Sequence, residues 1–230
     1  EVLVDAEARR VVRGSRGEIH LKVHLPEQSL DLVGSHLLVA TGRVPATDRL
    51  NLSAAGVAVD ARGYVVVNGG LETNVPGIYA MGDVKGGPAF TSVAYDDYRV
   101  LRTNLLGEGG VTIENRLVPY TVYTDPQLGG VGMTEAEARS KGRQIKVAKM
   151  LMKRVARAVE MDEARGVMKV IIDAETNQIL GAAILGVEGG ELMSVLQMAI
   201  MGGLPYTTLE NTIYAHPTLA ESLNNLFSGL

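Results

Sequence analysis

Near its C-terminus the chain reads Tyr214-Ala215-His216-Pro217-Thr218-Leu219-Ala220-Glu221, a run that holds the residue types needed to move a proton. A carboxylate beside an imidazole fixes its tautomer and favours its charged form, which makes it a proton donor near neutral pH. Thr218 and Glu221 also spell T-x-x-E, a capping box that opens a last helix at Thr218. The two roles are compatible, since one carboxylate oxygen can serve each partner. Taken alone, closing a helix end is the commoner role for such a glutamate.

Three further places suit a ligand. Thr41-Gly42 and Gly82-Asp83 each follow a short apolar run, Leu37-Leu38-Val39-Ala40 and Ile78-Tyr79-Ala80-Met81. Both runs read as strands buried on two faces, of the parallel kind. Ligands of open α/β sheets sit beyond the carboxyl ends of such strands, and glycine there lets the backbone come close. Asp83 can accept hydrogen bonds from sugar-like hydroxyls, or it can simply cap the next turn. The third place is Ala89-Phe90-Thr91, where Thr91 reads as the cap of a helix running to about Leu106 and ending at Gly107. Unpaired N–H groups and the dipole at a helix start favour negative charge beside them.

The elements that must position these residues fall into two styles. Residues 1–25 read as a small β-meander, with Ile19, Leu21, Val23 and Leu25 alternating with His20, Lys22 and His24 about a turn at Gly14-Ser15-Arg16-Gly17. A second hairpin is expected over 57–59 and 64–67. Pro119 to Met133 reads as extended, and Thr134-Glu135-Ala136-Glu137 is a capping box for a helix to Lys141. Strands are expected over 145–152, 167–173 and 179–185. A helix is expected over 191–201, with Leu192, Val195, Leu196, Ala199 and Ile200 on one face and Met193, Met198 and Met201 widening it. A helix apolar on most sides needs a second burial partner. A short helix follows Thr207 or Thr208. The fold class is therefore α/β followed by α+β with an antiparallel sheet.

Composition excludes several alternatives. Hydrophobic residues are 46% and charged residues 21% of 230, which argues for a packed globular chain. Net charge is -4, so a basic nucleic-acid surface is not favoured; the stretch with Lys149, Lys153, Arg154 and Arg157 reads as a solvated face. There is no cysteine, hence no disulfide, zinc-thiolate site or thiol nucleophile in this chain. No apolar run approaches a membrane span, and a cytoplasmic location is the default. No G-x-G-x-x-G, P-loop or G-x-S-x-G motif occurs. His20, His24 and His36 lack metal-ligand spacing, so no metal site is expected.

Together, Ala40-Thr41-Gly42-Arg43-Val44-Pro45, Thr73-Asn74-Val75-Pro76-Gly77-Ile78-Tyr79-Ala80-Met81-Gly82-Asp83 and His216-Pro217-Thr218-x-x-Glu221 resemble the pyridine nucleotide-disulfide oxidoreductases, which are FAD flavoproteins. The resemblance covers essentially the whole chain. Gly87-Pro88-Ala89-Phe90-Thr91, Val118-Pro119-Tyr120-Thr121-Val122-Tyr123-Thr124-Asp125-Pro126 and Glu221-Ser222-Leu223-Asn224-Asn225-Leu226-Phe227 look like the mercuric-reductase-like branch.

The resemblance implies a C-terminal half: the tail of an NAD(P)H-binding domain over 1–47, a central FAD-contacting segment over 48–115 and a dimerisation domain over 116–230. In the whole protein, electrons would pass from NAD(P)H through FAD to a cysteine pair in the other half, then to a disulfide, oxidant or metal-ion acceptor. His216 would be the acid/base across the dimer interface, oriented by Glu221. Thr41, Gly42, Gly82, Asp83, Ala89, Phe90 and Thr91 would contact FAD, with the Thr91 helix facing the negative charge of the reduced flavin. The loop for the FAD pyrophosphate is not in this chain, which alone would mainly dimerise. Mercuric reductases carry a C-terminal cysteine pair, whereas this chain ends Leu226-Phe227-Ser228-Gly229-Leu230; His216 favours a disulfide or oxidant. A nicotinamide transhydrogenase-like relative without a redox cysteine pair, and a non-catalytic dimerisation module, are the alternatives.

Overall fold

The computed structural model describes residues 1–230 and divides into two compact units, Glu1–Ala46 and Thr47–Leu230. In the first, the alternation around Ile19 builds a three-stranded antiparallel meander of β1 (Glu7–Arg13), β2 (Ile19–His24) and β3 (Ser29–Gly34), in that spatial order. Arg13 pairs with Ile19 and Val23 with Leu30. The turn at Gly14-Ser15-Arg16-Gly17 closes as expected, with Gly14 N–H donating to the Glu18 carbonyl at 2.8 Å and Gly17 at φ +89°. β3 lies beyond the expected end of the meander at Leu25.

The strand expected over 37–40 does not form. Those residues are irregular and exposed, Leu38 by 90%. A parallel strand needs a crossover-connected neighbour and a layer on each face, and an antiparallel meander supplies neither. The strand expected over 78–81 is also absent. Tyr79 makes one bridge with Glu72, Ile78 and Ala80 are half-buried, and Met81 is exposed. The expected hairpin over 57–67 is reduced to one bridge, Val59 to Val65, around a turn in which Asp60 Oδ1 accepts from the N–H groups of Arg62 and Tyr64.

The second unit has its first long element in α1 (Thr91–Leu106). Val93, Asp97 and Val100 form its buried stripe, the i, i+4, i+7 spacing of one helix face. Its N-cap is Phe90, so Thr91 is the first helical residue and not the cap. Gly107 ends it, donating its N–H to the Thr103 carbonyl at 3.0 Å.

The rest of this unit is one antiparallel sheet of β4 (Tyr120–Val122), β5 (Gln127–Gly132), β6 (Ile145–Leu151), β7 (Val167–Asp173) and β8 (Ile179–Gly186), ordered β4-β5-β8-β7-β6. Between β5 and β6, α2 (Glu135–Ser140) opens with the full capping box of Thr134 and Glu137. Lys169 of β7 and Arg139 hold the Glu135 carboxyl at about 2, well below the ordinary 4.5. After α3 (Ala156–Glu160), the helices α4 (Gly189–Met201), α5 (Tyr206–Glu210) and α6 (Ser222–Phe227) complete the fold. α4 packs across β5 and β8, and α6 against β6. The start of α4 comes so close to β5 that a side chain at Gly129 would collide with the Gly189 carbonyl oxygen. Met168, Val170, Ile172, Ile184, Leu196, Leu223 and Phe227 form a core that is mostly aliphatic.

Two expectations for the helices need correction. Val195 is exposed rather than part of the buried face of α4, alongside Met198 and Met201. The last helix begins at Ser222 and not at Thr218. Thr218 Oγ1 does accept the Glu221 N–H at 3.2 Å, but the Glu221 carboxylate turns to His216 instead of closing the box on Thr218. No helix is long and apolar enough to cross a membrane.

Candidate functional site

Two groups of candidate residues are built by different means. The first is the loop between α5 and α6. Asn224 on α6 donates to the carbonyls of Leu209, Glu210 and Thr212, which fastens the loop's beginning. Thr218 Oγ1 donates to the Ala215 carbonyl at 2.8 Å and fastens its middle. Ser222, Leu223, Leu226 and Phe227 are buried and anchor its end. The His216–Pro217 peptide bond is cis.

On that loop, His216 Nδ1 lies 2.8 Å from Glu221 Oε2 and 3.0 Å from Oε1. An ionised carboxylate can only accept, so Nδ1 carries the hydrogen and Nε2 keeps its lone pair. Nε2 makes no hydrogen bond within the chain, and the His216 side chain is 67% exposed against 31% for Glu221. The arrangement is a proton-accepting nitrogen presented outward, with its tautomer set by a carboxylate behind it. The two residues that the sequence paired are thus brought together, and both carboxylate oxygens serve the imidazole.

The second group surrounds the start of α1. Gly82–Lys85 forms a 3-10 turn carrying Asp83, which is exposed. Gly82 has φ +73°, and a side chain there would touch Ala94 on the first turn of α1; the turn and the helix start are packed together. No side chain caps Phe90, so the first N–H groups of α1 are left for water or a ligand. They border a cleft of about 540 Å³, lined by Phe90, Thr91 and Ser92 on one side and by Tyr120, Thr121 and Glu191 on the other. Donors of this kind suit a carbonyl-bearing or anionic group. The exposed Asp83 carboxylate suits hydroxyls.

Asp97, Lys85 and Arg116 hold this arrangement together, and motif reading passed over all three. Asp97 is fully buried; it accepts from Gly82 N–H at 2.8 Å and from Arg116 at 2.7 Å, and lies 3.3 Å from Lys85 Nζ. One signal was available in the sequence: an aspartate on the same helical stripe as Val93 and Val100. Thr41 and Gly42 belong to the other unit, Glu1–Ala46. Both are exposed, with Gly42 at φ +108°, and no strand precedes them to give them the expected place at a sheet end.

Comparison with known proteins gives these groups a context. Residues 118–227 match the pyridine nucleotide-disulphide oxidoreductase dimerisation domain, and residues 1–97 match the pyridine nucleotide-disulphide oxidoreductase domain. RclA of Escherichia coli (strain K12), named a probable pyridine nucleotide-disulfide oxidoreductase, is 42% identical over 99% of this chain and 51% of its own length. The dihydrolipoyl dehydrogenase of Thermus scotoductus is 40% identical over 84% of the chain and 41% of its own. A mercuric reductase of Staphylococcus aureus is 35% identical over 91% and 38%. The solved structure of RclA, described as an HOCl-induced flavoprotein disulfide reductase, superposes with a TM-score of 0.87 over 96% of this chain and 50% of that one. The chain thus spans about half the length of RclA.

Proposed function

Because the chain belongs to the pyridine nucleotide-disulphide oxidoreductases, we propose that it works as the C-terminal half of an enzyme that uses FAD and NAD(P)H. A redox cysteine pair in the other half completes it. The observation that carries this reading is the His216–Glu221 pair at 2.8 Å, with its free nitrogen presented outward. A proton carrier held in this way is what thiol–disulfide chemistry requires, because the leaving thiolate must be protonated and the attacking thiol deprotonated.

The start of α1 and its neighbouring turn fit a flavin. Asp83 would accept from ribityl hydroxyls, Gly82 would let the backbone approach, and the N–H groups after Ala89 and Phe90, beginning with Thr91, would serve a carbonyl-bearing or anionic group of the ring. In the whole protein Thr41 and Gly42 would contact FAD, as the family resemblance implies. When bound, FAD supplies the electron transfer between a nicotinamide and a disulfide. The chain's own work is to hold that group and to move a proton at His216 Nε2.

The acceptor is a disulfide, an oxidant or a metal ion, and His216 as a proton carrier favours the first two. Residues 116–230 form the homodimer contact. Met198 and Met201 on α4, exposed by 60% and 62%, and Ile213 at 97% are its apolar residues. Alone, this chain dimerises without turnover. A cytoplasmic location belongs to the same reading, because the reductant is a cytoplasmic nicotinamide.

The natural gene product is expected to purify with flavin absorbance that NAD(P)H bleaches without oxygen and a disulfide restores. A purified product with no flavin, and no uptake of added FAD, refutes the reading.

A further inference from the structure

A carboxylate with no exposure stands on α1 among apolar neighbours: Asp97, on the stripe of Val93 and Val100. A buried charge is tolerated only when it is paired and hydrogen-bonded, and Asp97 is engaged on both oxygens. Its Oδ1 accepts from Arg116 Nη1 at 2.7 Å. Its Oδ2 accepts from Gly82 N–H at 2.8 Å and lies 3.3 Å from Lys85 Nζ, on a side chain only 4% exposed. Arg116 Nη1 also reaches Asp96 Oδ2 at 3.2 Å.

The places these partners occupy give the cluster its meaning. Gly82 and Lys85 are the first and last residues of the 3-10 turn that carries Asp83. Asp97 therefore grips that turn at both ends, from the same helix whose start borders the cleft. Through Arg116 it also holds the segment that leads into β4. We propose that Asp97 is a positioning residue, one that sets the Asp83 carboxylate at a fixed place relative to the start of α1 so that a single ligand can engage both. It acts through Asp83 and touches no ligand itself. This inference rests on the flavin reading above.

A double-mutant cycle tests it, using FAD titrated into the flavin-free natural gene product with Asp83→Ala, Asp97→Asn and the two combined. Asp83→Ala weakens FAD binding, and Asp97→Asn weakens it by about tenfold in the wild-type background, a coupling typical of groups in one network. In the Asp83→Ala background, Asp97→Asn adds almost nothing. A merely structural aspartate gives losses that multiply instead, and that result overturns the inference. If Asp83→Ala leaves FAD binding unchanged, the flavin reading itself fails and this inference falls with it. If Asp97→Asn does not fold, Lys85→Gln takes its place: weaker binding in the wild-type background only supports the inference, and unchanged binding overturns it.

Discussion

Replacing His216 by alanine in the natural gene product is expected to lower turnover with a disulfide by about 10²–10⁴-fold, the range of a general acid–base group. Flavin content and the rate of flavin bleaching by NAD(P)H stay at wild-type values, because His216 lies on the α5–α6 loop and no part of the Gly82–Asp83 turn bonds to it. Glu221→Gln causes a smaller loss. A glutamine oxygen still accepts from Nδ1–H and keeps the ring's orientation, but the charged imidazolium loses its counter-ion. Steady-state rates of both variants with a disulfide acceptor check this. Unchanged rates in His216→Ala would leave the histidine and glutamate as a structural clasp of the α5–α6 loop.

The largest effect on stability is expected at Phe227. It is 1% exposed, and its ring packs against Tyr206 with centroids 5.5 Å apart. Phe227→Ala leaves a cavity between α5 and α6, at a cost of about 3–5 kcal/mol. α6 also supplies Asn224, whose amide holds the backbone at Leu209, Glu210 and Thr212. Loosening α6 therefore frees the His216 loop as well, and turnover falls along with stability. Urea unfolding of this chain followed by tyrosine emission is suitable, since these 230 residues hold no tryptophan and Tyr206 is in the core. Leu38→Ala is the control: Leu38 is 90% exposed, and its loss stays within about 0.5 kcal/mol. Equal effects at the two sites would contradict the packing described for α6.

The antiparallel half was the more legible in the sequence because its strands satisfy one another within the chain. Alternation, turn residues and the Thr134–Glu137 box each carry local information, and local agreement is enough where the partners lie nearby. The runs at 37–40 and 78–81 carry equally apolar sequence, yet neither is a strand. A strand is a property of its partners, and composition cannot report whether partners exist. β3 was missed because Ser-Leu-Asp-Leu-Val-Gly gives its apolar residues a weak period. Thr91 read as a cap because threonine is a good one, but Phe90 holds that position with its backbone alone. The last helix was placed four residues early because T-x-x-E has two solutions, and the imidazole of His216 won the carboxylate. Asp97 escaped because its partners stand 12 to 19 residues away along the chain and form no motif.

As half of a flavin-dependent disulfide reductase, the role proposed for it, this chain requires redox cysteines in the other half. The most direct measurement is the intact mass of the natural gene product, with a thiol count before and after reduction. The expected result is about twice the 24.5 kDa of this chain, with one reducible cysteine pair. A cysteine-free product of 24.5 kDa would contradict it and leave a dimerising relative without disulfide chemistry.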